Sequence, residues 1–537
     1  MITGKNKVRL YRALGVAVLG IFALLNSLST VGTSGNESSR LATIQAVAEQ
    51  NTFAIEDTEF SYTVDRVRFN GHVYSDKPPF LSFVIGVALK PLLAATGCSF
   101  RENQAALVYL INSLFGALNI VLFCWLFNMF RRVRRGAVEA KFLLALGSVM
   151  GSWLLSYSVV INNHTPAALC ALGAYVALWK FSRKPTSRAA AFAGLACGVM
   201  GALDIPGGVI FSLALIPAIA LSSRPGKRAE HVLAASCAVA FSALCVFLLN
   251  YVSHRNPLPL YMVRGGSFQP GVSGKSFVGY AVECLFTYRG IFSYQPFLLL
   301  AFPALWFRRR ALRAAEWATV AATLVFTAFY VMLTNEFGGA AYGFRYLIPV
   351  IPIWSFLAGS FVLTAPKERA RIALGALSAV LIVWGVVTSA VGAYFPFCFA
   401  NEGVRTPPGH FSRSVRSTFG GNLLCWSYEH YPESALTCSL IRHYGETPAL
   451  KHLFWSFVNM RCLDKPEIDK YYAERFGEEG RAAFWKAYYG DRPMPEPRVV
   501  AALMFDLWYY PKRMTNAELR RWIEYGRLRH IEKRANQ

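Results

Sequence analysis

The feature that most constrains this chain is a succession of apolar runs, each about 20 residues long, separated by short clusters of Arg and Lys. A helix rises about 1.5 Å per residue, so about 20 apolar residues cross the roughly 30 Å hydrocarbon core of a bilayer. The runs recur along the first 396 residues. They predict eleven spans, at 13–30, 105–130, 142–161, 165–182, 189–203, 206–222, 231–252, 291–307, 315–334, 347–364 and 372–396. Only 16% of the residues are charged, against about 25% in soluble domains. The net charge of +24 would suit a nucleic-acid partner, but the basic residues sit in loops between apolar runs. That is where they orient a membrane protein, so nucleic acid is set aside.

The clusters give the sidedness. Arg131, Arg132, Arg134 and Arg135 follow the second span, and Arg183, Lys184 and Arg188 the fourth. Arg224, Lys227 and Arg228 follow the sixth, Arg308 to Arg310 the eighth, and Lys367, Arg369 and Arg371 the tenth. With the N-terminus inside, every cluster falls on the cytoplasmic side. Lys5, Lys7, Arg9 and Arg12 precede the first run, and no A-x-A-like site follows it, which reads as an uncleaved first span. Counting Pro78 to Gly97 as a span would reverse the side of the Arg131 to Arg135 cluster. That run is therefore expected as a helix in the outer leaflet, with Pro78 and Pro79 tolerated at its first turn.

The expected fold class is an all-α polytopic membrane protein with interfacial helices in a first outer loop, 31–104. The transmembrane domain covers 1–396. From about Phe397 charges become frequent, and 397–537 is expected as an extracytoplasmic helical domain. It holds Cys398, Cys425, Cys438 and Cys462, an even set whose pairing is left open.

Four polar patches fall on the predicted outer face. Ser38 to Gln50 places Leu41, Ile44, Val47 and Ala48 on one face, the pattern of an amphipathic helix along an interface. Asn36 would cap it and Glu37 would lie in its first turn, either favoured by the helix dipole or held as a general base. Asp76-Lys77-Pro78-Pro79 is either a turn with a local ion pair or a lysine placed to meet phosphate. Asn162-Asn163-His164-Thr165 gathers hydrogen-bonding side chains at one depth, and a single His gives a metal little support. The segment 338–346 has three glycines that let backbone approach a ligand. It ends in Arg345-Tyr346, with Arg345 either an anchor or a fork donor to phosphate. The spans carry few charges, Asp204 near an outer helix end being one, whereas a transporter would place ionisable groups near mid-bilayer.

Over roughly residues 10 to 400 the ordered set of Asn36-Glu37 with Arg40, Asp76 to Pro79, Asn162 to Pro166 and Gly338 to Tyr346 resembles the membrane-embedded GT-C glycosyltransferases. More narrowly, it is similar to the family-39 type that includes protein O-mannosyltransferases and aminoarabinose transferases. The resemblance implies transfer of one sugar from a polyprenyl-phosphate donor to an acceptor hydroxyl of a glycan, lipid or protein at the outer face. It implies Glu37 as a base, Lys77 and Arg345 facing the lipid phosphate, and Asn163 and His164 lining the site. Arg40 and Tyr342 belong to the same phosphate- and substrate-binding set, and Asp76 is the second candidate catalytic acid. No cofactor is implied, and a divalent metal is left open. In the family the first member of the acidic pair is usually Asp; here it is Asn36. The base is therefore Glu37 or one of Asp57, Asp65 and Asp76. Two rivals stand beside the transferase: a lipid or sugar-lipid transporter, and a non-catalytic assembly subunit. The expected location is a bacterial inner membrane, because Asn36-Glu37-Ser38 and Asn163-His164-Thr165 would be glycosylation acceptors in a secretory lumen.

Overall fold

The structure, a computed structural model, describes residues 4–26, 35–263, 277–334 and 341–396 apart from positions 62, 64, 288, 311 and 395, together with Phe419 and Leu423. The chain divides into two compact units, 1–338 with 343–396, and 339–342 with 397–537. The expected C-terminal helical domain and its four cysteines lie outside the described residues.

The first unit is mostly helical, and among the described residues seven helices are long and apolar enough to cross a membrane, or eight if the bent pair Phe277–Tyr294 with Pro296–Arg308 is one span. Helix α1 (Gly4–Asn26) carries the first apolar run and lies against α4 (Phe100–Arg131). Glycines set that contact: a Cβ at Gly15 would fall 2.1 Å from the Phe123 ring, and one at Gly116 2.1 Å from Ala23. Small residues that let helices approach are how spans pack where lipid gives no hydrophobic drive between them.

The first loop is folded rather than surface-lying. Helix α2 (Gly35–Gln45) runs into a π turn at Ala46–Gln50, and every residue from Glu37 to Val47 is buried. The expected amphipathic interfacial helix is thus corrected to one enclosed on all sides. Gly86 of α3 (Phe80–Thr96) explains part of this, since a side chain there would meet Val47 at 2.9 Å and the Ile44 carbonyl at 3.0 Å. The helix also starts at Gly35, so Asn36 sits in its first turn instead of capping it. Between α2 and α3 stands a hairpin, β1 (Arg66–Phe69) against β2 (His72–Ser75), a small exception to the all-α expectation. Asn70 and Gly71 have φ of 49° and 86°, which suits a two-residue hairpin turn. Helix α3 has 17 residues, about 26 Å at helical rise, and does not reach span length.

The eleven-span expectation is corrected in the middle of the chain. The third predicted span is interrupted: α5 (Val138–Met150) stops, and a four-residue α6 (Trp153–Ser156) gives way to irregular chain before α7 (His164–Phe181). Gly151 packs against α17 (Glu368–Tyr394), where a Cβ would lie 3.1 Å from the Ile382 carbonyl. Asparagines on neighbouring elements satisfy the irregular backbone: Asn119 donates to Leu154 O at 2.6 Å, and Asn112 accepts from Ile161 N at 3.0 Å. Unpaired backbone at that depth would be costly, so such partners are required. Helix α7 carries His164 and Lys180 at its two ends, and α8 (Ser187–Leu203) has 17 residues; neither counts among the seven.

The remaining helices match the expected spans more closely. Helices α9 (Ile205–Ser222) and α10 (Arg228–His254) match the sixth and seventh spans. After a short α11 (Leu260–Val263), α12 (Phe277–Phe286) and α13 (Ile291–Tyr294) join a 3-10 turn and α14 (Ala301–Arg308) through a 98° bend, where one straight span was expected. Helices α15 (Ala314–Leu333), α16 (Ile351–Thr364, preceded by a 3-10 turn from Arg345) and α17 (Glu368–Tyr394) complete the unit. Burial separates their roles. Helix α16 is enclosed along nearly its whole length, whereas α10 turns Leu233, Phe241, Leu244 and Leu248 outward. Apolar faces of that extent are those of a multi-pass membrane protein.

Basic clusters gather at one end of the bundle. Lys7 pairs with Glu139 at the start of α5, Arg135 donates to Ala365 O past α16, and Arg313 before α15 donates to Ser182 O past α7. The opposite ends of α7, α15 and α16 converge on the site described next.

Candidate functional site

The first loop supplies an acid–lysine cluster. The hairpin returns the chain so that Asp76 N donates to Asp65 O at 3.3 Å, and Ser39 of α2 clamps the junction by donating to Asp65 O at 2.8 Å. Lys77 Nζ then lies 3.0 Å from both Asp65 Oδ2 and Asp76 Oδ2. Burial opposes the Lys77 charge, yet Asp76 and Asp65 outweigh it and hold the ammonium above its ordinary range. Burial pushes the Asp76 carboxyl up; Lys77 opposes the rise, and the nearby Asp65 adds to it. Asp76 Oδ1 is buried with no hydrogen-bond partner.

Arg40, one turn after Asn36 on α2, reaches across to the end of the irregular chain before α7. Its guanidinium donates to the Asn36 carbonyl at 3.1 Å, to the Asn36 side-chain oxygen, and to Asn163 Oδ1 at 2.9 Å. Asn163 in turn donates to Leu203 O at 2.9 Å. Burial and the neighbouring Arg345 lower Arg40 to about 10, which leaves it charged at neutral pH. Asn162 holds the local backbone in place, accepting from Thr165 N at 2.8 Å and donating to Tyr157 O and Val160 O. His164 is 3% exposed, and its ring meets Tyr346 edge-on at 5.5 Å. Burial, Arg345 and Arg40 push its imidazole well below the ordinary range, so it is neutral, and its Nδ1 has no hydrogen-bond partner.

Arg345 opens the turn into α16 with its guanidinium 5.5 Å from the centre of the Tyr346 ring. The segment gets there because residue 343 is glycine: its φ is +66°, and a Cβ would fall 2.3 Å from Trp153. Tyr346 stacks on Tyr330 of α15 at 4.5 Å and 8°, and Tyr330 donates its hydroxyl to Asp204 Oδ1 at 2.8 Å. Asp204 caps α9 by accepting from Gly207 N at 2.9 Å. Burial raises its carboxyl to about 6 while Gly207 and Tyr330 hold it down.

Of the candidates read from the sequence, Arg40, Asp76, Lys77, Asn163, His164 and Arg345 are brought into one neighbourhood. Glu37, 1% exposed, lies three residues ahead of Arg40 on the same helix. Tyr342 groups with the second compact unit. Asp57 is exposed, while Asp65 is tied to Lys77. Sequence reasoning noted Asp204 without giving it a role and passed over Tyr330. Among the described residues no three His, Cys, Asp or Glu side chains gather as a metal site, and the Lys77 ammonium lies between Asp65 and Asp76. The site can therefore offer two guanidiniums to an anion, a carboxylate to a proton, and a neutral imidazole as a hydrogen-bonding group. No protein-family model matches the chain, and no curated protein sequence matches it either.

Proposed function

We propose that the protein is a glycosyltransferase of the GT-C type that moves a sugar from a polyprenyl-phosphate donor to an acceptor hydroxyl at the outer face of the membrane. The basic end of the bundle is cytoplasmic in this reading, and the site opens toward the outer headgroups. The observation that carries it is the meeting of two like charges, Arg40 and Arg345, with Arg40 tied to amide oxygens of Asn36 and Asn163. Guanidiniums that repel one another in a buried setting become favourable when an anion joins them, and a phosphate accepts both forks.

The chemistry follows from that anion. An acceptor oxygen attacks the anomeric carbon while the carbon–oxygen bond to the lipid phosphate breaks. The leaving phosphate gains negative charge, which Arg40 and Arg345 neutralise. The acceptor's proton passes to a carboxylate, and Asp76 is suited to take it. Its pKa is raised toward the working range and Oδ1 has no hydrogen-bond partner, while Lys77 holds Oδ2. Neutral His164 can accept or donate a hydrogen bond without adding charge. Asn36, in place of an acid, holds Arg40 through its side-chain oxygen.

The test is turnover of polyprenyl-phosphate sugars by the full chain in proteoliposomes. Asp76→Asn and Arg345→Ala are each expected to lose about 100-fold or more. Full activity in both variants would reject these roles. Loss in Glu37→Gln but not in Asp76→Asn would move the base to Glu37, and lipid movement without cleavage would indicate a transporter.

A further inference from the structure

Two guanidiniums that repel each other need a brace, and the geometry points to the Leu203–Asp204 break between α8 and α9 as that brace, with Leu203 O holding Arg40 through Asn163 and with Asp204 and Tyr330 as positioning residues for Arg345. This rests on the phosphate-binding reading above. One arm runs through backbone: Leu203 O accepts from Asn163 Nδ2 at 2.9 Å, and Asn163 Oδ1 accepts from Arg40 at 2.9 Å. The other arm runs through side chains. Asp204 Oδ1 accepts from the Tyr330 hydroxyl at 2.8 Å, the Tyr330 ring lies flat on Tyr346 at 4.5 Å, and the Arg345 guanidinium stands 5.5 Å from the Tyr346 ring centre. The same Tyr346 ring meets His164 edge-on. A single two-residue junction is thus linked to Arg40 on one side and to Arg345 and His164 on the other.

The junction is itself well anchored. Asp204 is 5% exposed and caps α9 through Gly207 N, and the turn carries Pro206, whose fixed φ suits a helix start. Gly207 leaves room, since a Cβ would fall 2.6 Å from Met200 and 3.0 Å from Phe326. Asp204 therefore does more than a cap alone requires: Ser or Asn caps equally well, but the carboxylate takes the α9 cap and the Tyr330 hydroxyl on one oxygen. Burying a carboxylate for a cap alone would be a poor exchange. Holding Tyr330, and through it the ring beside Arg345, accounts for it.

The experiment measures binding of a plain polyprenyl monophosphate to the full chain in lipid nanodiscs, together with thermal stability, for wild type, Tyr330→Phe, Asp204→Ala, Asp204→Asn and the double variant Tyr330→Phe/Asp204→Ala. Tyr330→Phe keeps the stacked ring and removes only the hydroxyl. It is expected to weaken binding roughly tenfold, the scale of one lost hydrogen bond, with little change in thermal stability. Asp204→Ala should match it, the double variant should lose no more than either single variant, and Asp204→Asn, which keeps an acceptor, should restore most of the affinity. Binding by wild type that stays unchanged in Tyr330→Phe and Asp204→Ala overturns the brace alone. Additive losses, or a loss in Asp204→Ala that tracks thermal stability while Tyr330→Phe binds as wild type does, also overturn it and leave a structural cap. No binding of polyprenyl monophosphate by wild type overturns the proposed function and the brace with it.

Discussion

The two ends of the helical bundle use charge in opposite ways. At the basic end many charges are exposed, Lys7 with Glu139 at 3.0 Å, Lys227 with Glu230 at 2.7 Å, and Arg183 over the Trp179 ring at 3.8 Å, and the buried Lys141 and Glu316 there bond local backbone at Val133 O and Arg313 N. Exposed pairs of this kind add little stability, and Arg with Trp marks a membrane interface. At the other end Arg40 and His164 are buried, and Lys77 is shared by two carboxylates. Buried charge is costly and survives where it serves a function. In the proposed reading the many basic residues orient the chain, while the enclosed cations Arg40 and Arg345 meet the lipid phosphate.

That contrast can be broken by mutation. The largest effect is expected at Arg345 and Asp76, where Arg345→Ala and Asp76→Asn each cost about 100-fold or more in turnover. At the basic end Arg309→Gln should leave turnover unchanged. Next comes stability. Lys77→Met leaves Asp65 and Asp76 facing each other without their cation, and we expect a loss of about 1–3 kcal/mol in chemical unfolding. Lys7→Met should not shift the unfolding midpoint measurably. Gly343→Ala should cost about 1–3 kcal/mol through its left-handed backbone and the Trp153 contact, read by thermal unfolding of purified protein.

The smallest and sharpest effect is on pH. As the proposed base Asp76 would have to be ionised to take a proton, and burial raises its pKa, so turnover should fall as pH drops through a value above the usual carboxylate range. Stability moves the other way: a carboxyl raised on folding binds its proton more tightly in the folded state, so its ionisation disfavours folding as pH rises through that value. His164 is held neutral across neutral pH, and His164→Gln should leave the position of the acidic limb where it is. An acidic limb that vanishes in His164→Gln would assign the titration to the imidazole.

Much of this architecture is legible in the sequence because span length and basic flanks are simple quantities. Seven predicted spans coincide with long apolar helices. The third failed because apolar content does not reveal a break: Trp153 to Ile161 is mostly apolar yet divides into a four-residue helix and irregular chain, its backbone satisfied by Asn112 and Asn119 from another helix. The burial of α2 was hidden for a similar reason. Its polar residues suggested a surface, but they serve a packed interior through Ser39, Arg40 and Gln45. The hairpin had a local signal in Asn70-Gly71, and strands of four residues were too short to register against a helical background. At the site, Arg40, Asp76, Lys77, Asn163, His164 and Arg345 stood out as polar residues in an apolar chain. Tyr330 did not, because a tyrosine in an apolar helix looks like filler, and its bond to Asp204 spans 126 positions.

The central claim is that the enclosed cations, and not the exposed ones, receive a lipid phosphate. The most direct measurement is photolabelling of the full chain in membranes with a polyprenyl monophosphate bearing a diazirine near its headgroup, followed by peptide mapping. The account predicts label on peptides containing residues 35–45, 163–165 and 345–350. Label confined to the basic loops at 131–135, 183–188 or 308–310 would contradict it.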